Sequence, residues 1–458
     1  MAGEGLKRMR ILDRASFDRP VDNARRHDEQ EGAVPAGSGR RPTAQTDIER
    51  ARTPARRLRL LVCTPFPPRL DARHGGRATA QLLARVAERH DVALLCLRSG
   101  EDAPVDDLFV GRCAIVEEVL LPRRASARSP TLRRARWALG MLRGLPPWAT
   151  DCRSGHYADR LRALAAEWEP DVVELHLQVM AQYASELVRS RARRVLVDYD
   201  PPAAWAAELV HGASGVRRLA RRIELAAWRR YERATRSLFD AIVVFAERDV
   251  PAVSATAEDV RVVRIPLAFD VPDQPFDPLG DSPPTVLFVG GFRHPPNVDA
   301  ARWLAQSIFP QVLEQVPEAR LELVGDRPGE DVRRLAGGAV GVHGSVPEVA
   351  PYLSRAAVVA APIRLGGSMR GKVLEALGGG KALVATPRAA EGLDAVPGEH
   401  FMLASTEEDI VAALIALLRD PNLRQQLAQR ARAWALESLS WQRSVAEFER
   451  LYESLLLS

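Results

Sequence analysis

Short apolar runs, each closed by glycine or proline and followed by a stretch with apolar positions three or four apart, recur along this chain from residue 57 onward. The first run, Arg57-Leu58-Arg59-Leu60-Leu61-Val62-Cys63-Thr64 before Pro65-Phe66-Pro67-Pro68, reads as a buried strand ending in a loop. A helix predicted to begin at Gly75-Gly76 and a strand over residues 92–97 complete a βαβ unit. Strands are predicted again over 171–176, 194–198 and 241–245, with a long arginine-rich helix over 215–237. A proline-rich stretch from Pro272 to Pro284 marks a linker, and beyond it the pattern restarts. A strand over 285–289 leads to the turn Gly290-Gly291, a helix over 297–316 and a strand over 319–324; a strand over 358–362, a helix over 372–378 and a strand over 382–386 follow.

Alternation of this kind in two separate halves predicts an α/β protein of two doubly wound, parallel-sheet, Rossmann-like domains facing each other across a cleft. Ligands in such sheets bind beyond the carboxyl ends of the strands. The expected division is a first domain over 57–268, a linker over 269–284, a second domain over 285–440 and an amphipathic helix over 441–458 packing across the junction. Residues 1–56 mix Arg, Asp, Gly, Pro and Gln without apolar period and are expected to form a disordered tail, because they cannot bury enough apolar surface to offset the entropy of ordering.

Composition adds a few constraints. A net charge of +5 over 458 residues argues only weakly for a polyanionic partner. Arginine supplies almost all the positive charge, since lysine occurs only at Lys7, Lys372 and Lys381, and this singles those three out. Four cysteines (Cys63, Cys96, Cys113, Cys152) stand far apart with no C-x-x-C pair, which suits reduced thiols in a cytosolic protein. The amino terminus is charged and has no apolar core of a secretory signal, and no run approaches the roughly 18 apolar residues of a membrane span. A cytoplasmic protein is expected, soluble or peripheral at the inner face of the membrane.

The densest chemistry lies in Pro362-Ile363-Arg364-Leu365-Gly366-Gly367-Ser368-Met369-Arg370-Gly371-Lys372-Val373-Leu374-Glu375, which runs from a strand through a glycine loop into a helix. Glycines let backbone N–H groups approach an anion, the helix start adds partial positive charge, and Arg370 and Lys372 add full charges. Without an anion, cations at a helix start oppose its dipole. Gly366 to Lys372 has the spacing of a nucleotide P-loop, but Val373 replaces the hydroxyl residue that would hold Mg²⁺, so a phosphate cradle is expected and a Mg-ATPase is not.

Residues 367–393, together with 287–300 and with Leu323-Val324-Gly325-Asp326 and Gly344-Ser345-Val346-Pro347-Glu348-Val349, resemble the donor site of group-1, family-4-like glycosyltransferases with the GT-B fold. The resemblance is strong in the second half and thin in the first. It implies that Arg370 and Lys372 neutralise the departing nucleotide diphosphate and that Glu375 hydrogen-bonds the ribose. It also implies that Gly290 and Gly291 let the backbone meet the phosphates from the opposite wall, that Arg293 belongs to the donor-binding set, and that residues around Ser345 lie near the base. Gly366, Gly367 and Ser368 complete the donor set. Where many retaining members carry an acidic residue eight positions before the glutamate, this chain has Gly367, like a subgroup with a Gly-Ser/Thr-x-Arg-x-Lys loop. The family implies transfer of a hexose-type sugar from a nucleotide-diphosphate sugar to a saccharide or lipid-linked acceptor in surface polysaccharide or glycoconjugate synthesis. It further implies retention of configuration and no metal or other cofactor. A non-hydrolysing sugar-nucleotide epimerase and a non-catalytic nucleotide-sugar binding protein are the alternatives in the same architecture.

In the first half, Gly75 and Gly76 stand where relatives place a loop closing on the donor, and His176 ends a strand resembling the family's Asp-x-Val-His-x-His region, which would place it at the transferred sugar. Asp198-Tyr199-Asp200 has the D-x-D spacing that binds a divalent metal in another glycosyltransferase fold. It lies in the half without the phosphate loop, so an acceptor-cleft or loop-capping role is preferred. Arginines over 217–236 and 123–143 are interleaved with leucine, isoleucine and tryptophan. The first reading is a solvated face paired to Glu224 and Glu232, and the second a patch for peripheral membrane contact. Nucleic acid is not expected, since no aromatic platform accompanies the charge.

Overall fold

The computed structural model describes residues 56–71, 75–100, 102–121, 129–199, 201–211, 214–266, 268–365 and 371–457. The expected disordered tail, apart from Arg56, therefore lies outside the described residues.

Two parallel sheets form the body. The first takes β1 (Arg59–Thr64), β2 (Asp91–Arg98), β3 (Ile115–Leu120), β4 (Val172–His176), β5 (Arg193–Asp198), β6 (Ala241–Val244) and β7 (Arg261–Arg264) in the order β3-β2-β1-β4-β5-β6-β7. The second takes β8 (Thr285–Val289), β9 (Arg320–Val324), β10 (Val340–His343), β11 (Val358–Ala361), β12 (Leu383–Ala385) and β13 (Met402–Leu403) in the order β10-β9-β8-β11-β12-β13. Each order reverses once, between β1 and β4 and between β8 and β11, so each sheet has one switch point where a crevice opens at the carboxyl edge. The sequence pattern missed all four edge strands, β3, β7, β10 and β13.

Alternation along β1 shows why the first sheet is covered on both faces. Leu60 and Val62 point into a core with Leu94 of β2 and with Trp441, Phe448 and Tyr452 of the closing helix Trp441–Leu457. Leu61 and Cys63 point the other way, into a core with Tyr157, Leu161 and Trp228. Full burial of such side chains stabilises by roughly 1.5–3 kcal/mol each. The last helix thus completes the first domain, not the second. All four cysteines are buried free thiols, and burial pushes Cys63, Cys113 and Cys152 up to about 12.

The helix expected over 297–316 is interrupted. It runs as Pro295–Trp303, a π turn over Leu304–Ile308, and Phe309–Gln315. Pro310 has no N–H to give to the preceding turn, and the N–H of Phe309 reaches back five residues to Leu304.

The linker is stapled along its length. The amide of Phe276 donates to Gly379 O (2.8 Å) and that of Asp281 to Arg355 O (2.8 Å), while Arg432 donates to Gly378 O (2.6 Å) and Pro272 O (2.6 Å). Lys381, wholly buried, donates to the carbonyl of Asp277. Where the chain crosses back, the amide of Phe269 meets Leu439 O at 3.2 Å.

Candidate donor-binding site

The carboxyl edges of the two sheets face each other. Arg248 and Arg264, which follow and flank β6, pair with Glu391 and Asp394 beyond β12, the latter at 2.9 Å, and Arg388 pairs with Glu208. A Cβ on Gly392 would lie 2.8 Å from that of Ala246. The cleft between them is bounded below by both switch points.

On the second sheet, β8 ends in Gly290-Gly291 and β11 leads through Arg364 to the helix Gly371–Gly378. Lys372, in the first turn of that helix, donates from Nζ to Asn297 Oδ1 and stands 5.0 Å above the Phe288 ring. Asn297, nearly enclosed, also donates from Nδ2 to Gly291 O at 2.9 Å. One amide therefore ties the turn after β8 to the lysine beyond β11 and fixes an ammonium over the crevice. Sequence reading found Lys372 through the rarity of lysine and found Gly290 and Gly291 through their turn. It quoted Asn297 only as part of a motif, because a bridging hydrogen bond leaves no periodic trace.

Close packing sharpens the same corner. A Cβ on Gly325 would fall 1.8 Å from Gly290 O, so the two strand ends approach this closely only with glycine at 325, and a Cβ on Gly290 would meet Asn297 Cγ at 2.9 Å and crowd the bridging amide. Ser345, exposed after β10, donates to Asp326 after β9, forming a polar shelf beside Gly325. Arg293 is exposed on the turn after β8. Arg364 makes a two-pronged pair with Asp299 (2.7 and 3.0 Å) and lies 4.4 Å from the Trp303 ring centroid, which anchors the entrance to the glycine loop. Thr386 Oγ1 donates to Ile363 O at 2.5 Å and accepts from the amide of Ala389, joining the exits of β11 and β12. Gly366, Gly367, Ser368 and Arg370 lie outside the described residues.

Glu375 is one helical turn beyond Lys372 and partly buried. Burial raises its carboxyl above the usual value, and the positive charge of Arg77 works against that rise. Arg77 follows Gly75 and Gly76 at the start of the helix Gly75–Arg89, so the first turn of that helix faces Glu375 across the cleft.

His176 corrects an expectation. It is 1% exposed, and both ring nitrogens are engaged, Nδ1 with Tyr199 OH at 3.3 Å and Nε2 with Glu174 Oε2 at 3.0 Å. Tyr452 of the closing helix donates to the other oxygen of Glu174, and Thr79 hydrogen-bonds Tyr199. The structure thus makes His176 the middle of a buried strut from the cleft-facing helix to the closing helix and leaves it no face for a sugar. Asp198 is likewise buried, 3.2 Å from Arg236, which also pairs with Glu232 at 3.2 Å. Burial lifts Glu232 to about 7 against the pull of Arg236. Asp198 holds a structural ion pair with Arg236, and Asp200 lies outside the described residues. Among the described residues no three His, Cys, Asp or Glu side chains are grouped to hold a metal.

Comparison with known proteins agrees with this layout. Residues 283–420 match the family model described as "Glycosyl transferases group 1". A curated "uncharacterized glycosyltransferase" of Methanocaldococcus jannaschii is 29% identical over 93 residues, which is 20% of this chain and 24% of that protein, so the match spans about a quarter of the relative's length. Sucrose-phosphate synthase from Thermosynechococcus elongatus superposes with a TM-score of 0.62 at 15% identity, over 88% of this chain and all of that one. The HepE protein of Anabaena, solved with UDP and glucose, gives 0.54 at 16% over 87% of this chain and all of its own. A UDP-forming α,α-trehalose-phosphate synthase from Burkholderia vietnamiensis gives 0.55 at 13% over 86% of this chain and all of its own. The chain has the GT-B fold, and residues 283–420, in its second domain, are similar to the group-1 glycosyl transferases.

Proposed function

We propose that this protein transfers a sugar from a nucleotide-diphosphate sugar to an acceptor, with the diphosphate seated at the β8/β11 switch point. The observation that carries this reading is Lys372, fixed by Asn297 and Phe288 over a crevice floored by glycine turns. Cleavage of the sugar–phosphate bond gathers charge on the departing phosphate. A preorganised ammonium and the amides of a helix start stabilise that charge without reorganising during the reaction. Glu375 would accept hydrogen bonds from the ribose, and its partial burial strengthens them. The layout provides for charge neutralisation by the protein itself, so we read the reaction as metal-independent. Retention of configuration rests on the family resemblance. One similar structure is of a UDP-forming enzyme and another was solved with UDP, which makes UDP-sugars the first donors to try. A saccharide, free or lipid-linked, is the acceptor class.

The test is a thermal-shift screen of nucleotide diphosphates and their sugars, with and without EDTA, on the wild type and on Lys372→Ala. One nucleotide class should raise the midpoint by mass action, equally with EDTA, and fail to do so for the variant. Stabilisation that vanishes with EDTA, or persists unchanged in the variant, refutes the assignment. Product analysis without acceptor separates transfer from epimerisation.

A further inference from the structure

The arginine helix Gly215–Arg236 is packed on the body only through its second half, where Ala227, Trp228, Tyr231 and Thr235 are buried. Its first half leaves a line of apolar side chains exposed, Val216 at 85%, Leu219 at 60% and Ile223 at 48%. At 3.6 residues per turn, Val216, Leu219, Ala220 and Ile223 share one face, and Arg217, Arg218, Arg221 and Arg222 share the opposite one. Arg230 continues the apolar line two turns further on and donates to Met141 O at 2.7 Å. That bond sets the end of the helix Pro130–Leu142, with Leu139 and Leu142 exposed, on the same side.

Charge on this surface is poorly compensated. Arg221 pairs with Glu224 at 2.7 Å, and Arg133 and Arg136 pair with Asp151. Glu232, expected to pair outward, instead turns inward to Arg236 and the amide of Ala203. Arg217, Arg218, Arg222 and Arg233 form no ion pair with any described residue, and Arg229 is near enough only to act on the buried Glu232. A merely solvated helix has no use for three large apolar side chains facing water on one line.

We propose that this surface, the first half of the arginine helix with the end of Pro130–Leu142, docks the protein on an anionic lipid bilayer. An apolar line backed by arginines is the pattern of a helix lying in the interface, with Val216, Leu219 and Ile223 entering the acyl boundary and the arginines reaching lipid phosphates. Charge selects this occupant over a second copy of the chain, which would set the same unpaired arginines against each other. The inference requires no donor chemistry, and its test reads binding alone.

The full-length protein is sedimented with phosphatidylcholine vesicles, with and without phosphatidylglycerol. The wild type should pellet with the anionic vesicles, less so in high salt, and remain in solution with the neutral ones. Arg218→Gln/Arg222→Gln should bind the anionic vesicles about tenfold to thirtyfold more weakly. Leu219→Ser/Ile223→Ser should lose at least about tenfold, with an unchanged melting curve because both sites are exposed. Equal binding by the Leu219→Ser/Ile223→Ser variant, or no binding by the wild type, overturns the proposal. So does a wild-type dimer in sedimentation velocity that this variant abolishes.

Discussion

Lys381 shows what one of three lysines does in a chain that otherwise writes its cations as arginine. Burial brings it from the ordinary 10.5 down to about 8, against the pull of the Asp277 charge, while its nitrogen stays on the Asp277 carbonyl. Between pH about 8 and the ordinary value the unfolded chain holds a proton that the folded chain has released, so this group makes stability rise with pH across that window. Denaturant titrations of wild type and Lys381→Met should therefore show a gap that moves in favour of the wild type between pH 8 and 10. A constant gap excludes the role. Sequence scarcity pointed equally at Lys372 and Lys381, yet one meets the crevice and the other a linker. The difference lies in tertiary neighbours such as Asn297 and Asp277, which no local pattern specifies.

Among whole elements, the closing helix Trp441–Leu457 exerts the most leverage. Its amphipathic period was plain in the sequence, and its apolar line enters the core of the first sheet. What the period could not reveal is the polar strut inside that contact. Tyr452→Phe should leave one oxygen of the buried Glu174 without its donor and cost about 1–3 kcal/mol in denaturant unfolding. The loss should shrink when Glu174→Gln is added, because the two act through one bond; strictly additive losses would show the strut to be incidental. Central strands such as β1 and β8 were legible because burial on both faces makes them continuous apolar runs. Edge strands β3, β7, β10 and β13 were not, since one neighbour suffices to hold them and their sequences are short or mixed. The π turn at Leu304–Ile308 was foreshadowed only by Pro310.

For the whole molecule, the two halves meet through ion pairs that are part-exposed, Arg248–Glu391, Arg264–Asp394 and Arg388–Glu208. Such pairs are weak singly and weaken in salt. Small-angle scattering of Arg248→Ala/Arg388→Ala should give a larger radius of gyration than the wild type at low salt, and the two should converge at high salt. Equal radii at low salt would show that the closed arrangement does not depend on these contacts. The cleft and its two switch points followed from strand alternation, but which loops touch across it did not, because charged loop residues obey no period.

The return of the last helix to the first sheet sets an order of events during synthesis. A chain emerging from the ribosome exposes residues 57–268 first, yet Leu60, Val62 and Leu94 must wait for Trp441, Phe448 and Tyr452 before one face of their sheet is closed. The second domain, contiguous from β8 onward, has its own core in hand earlier. The half that is made first is thus finished last, and an interrupted translation product would carry a sealed second domain beside an open, aggregation-prone sheet.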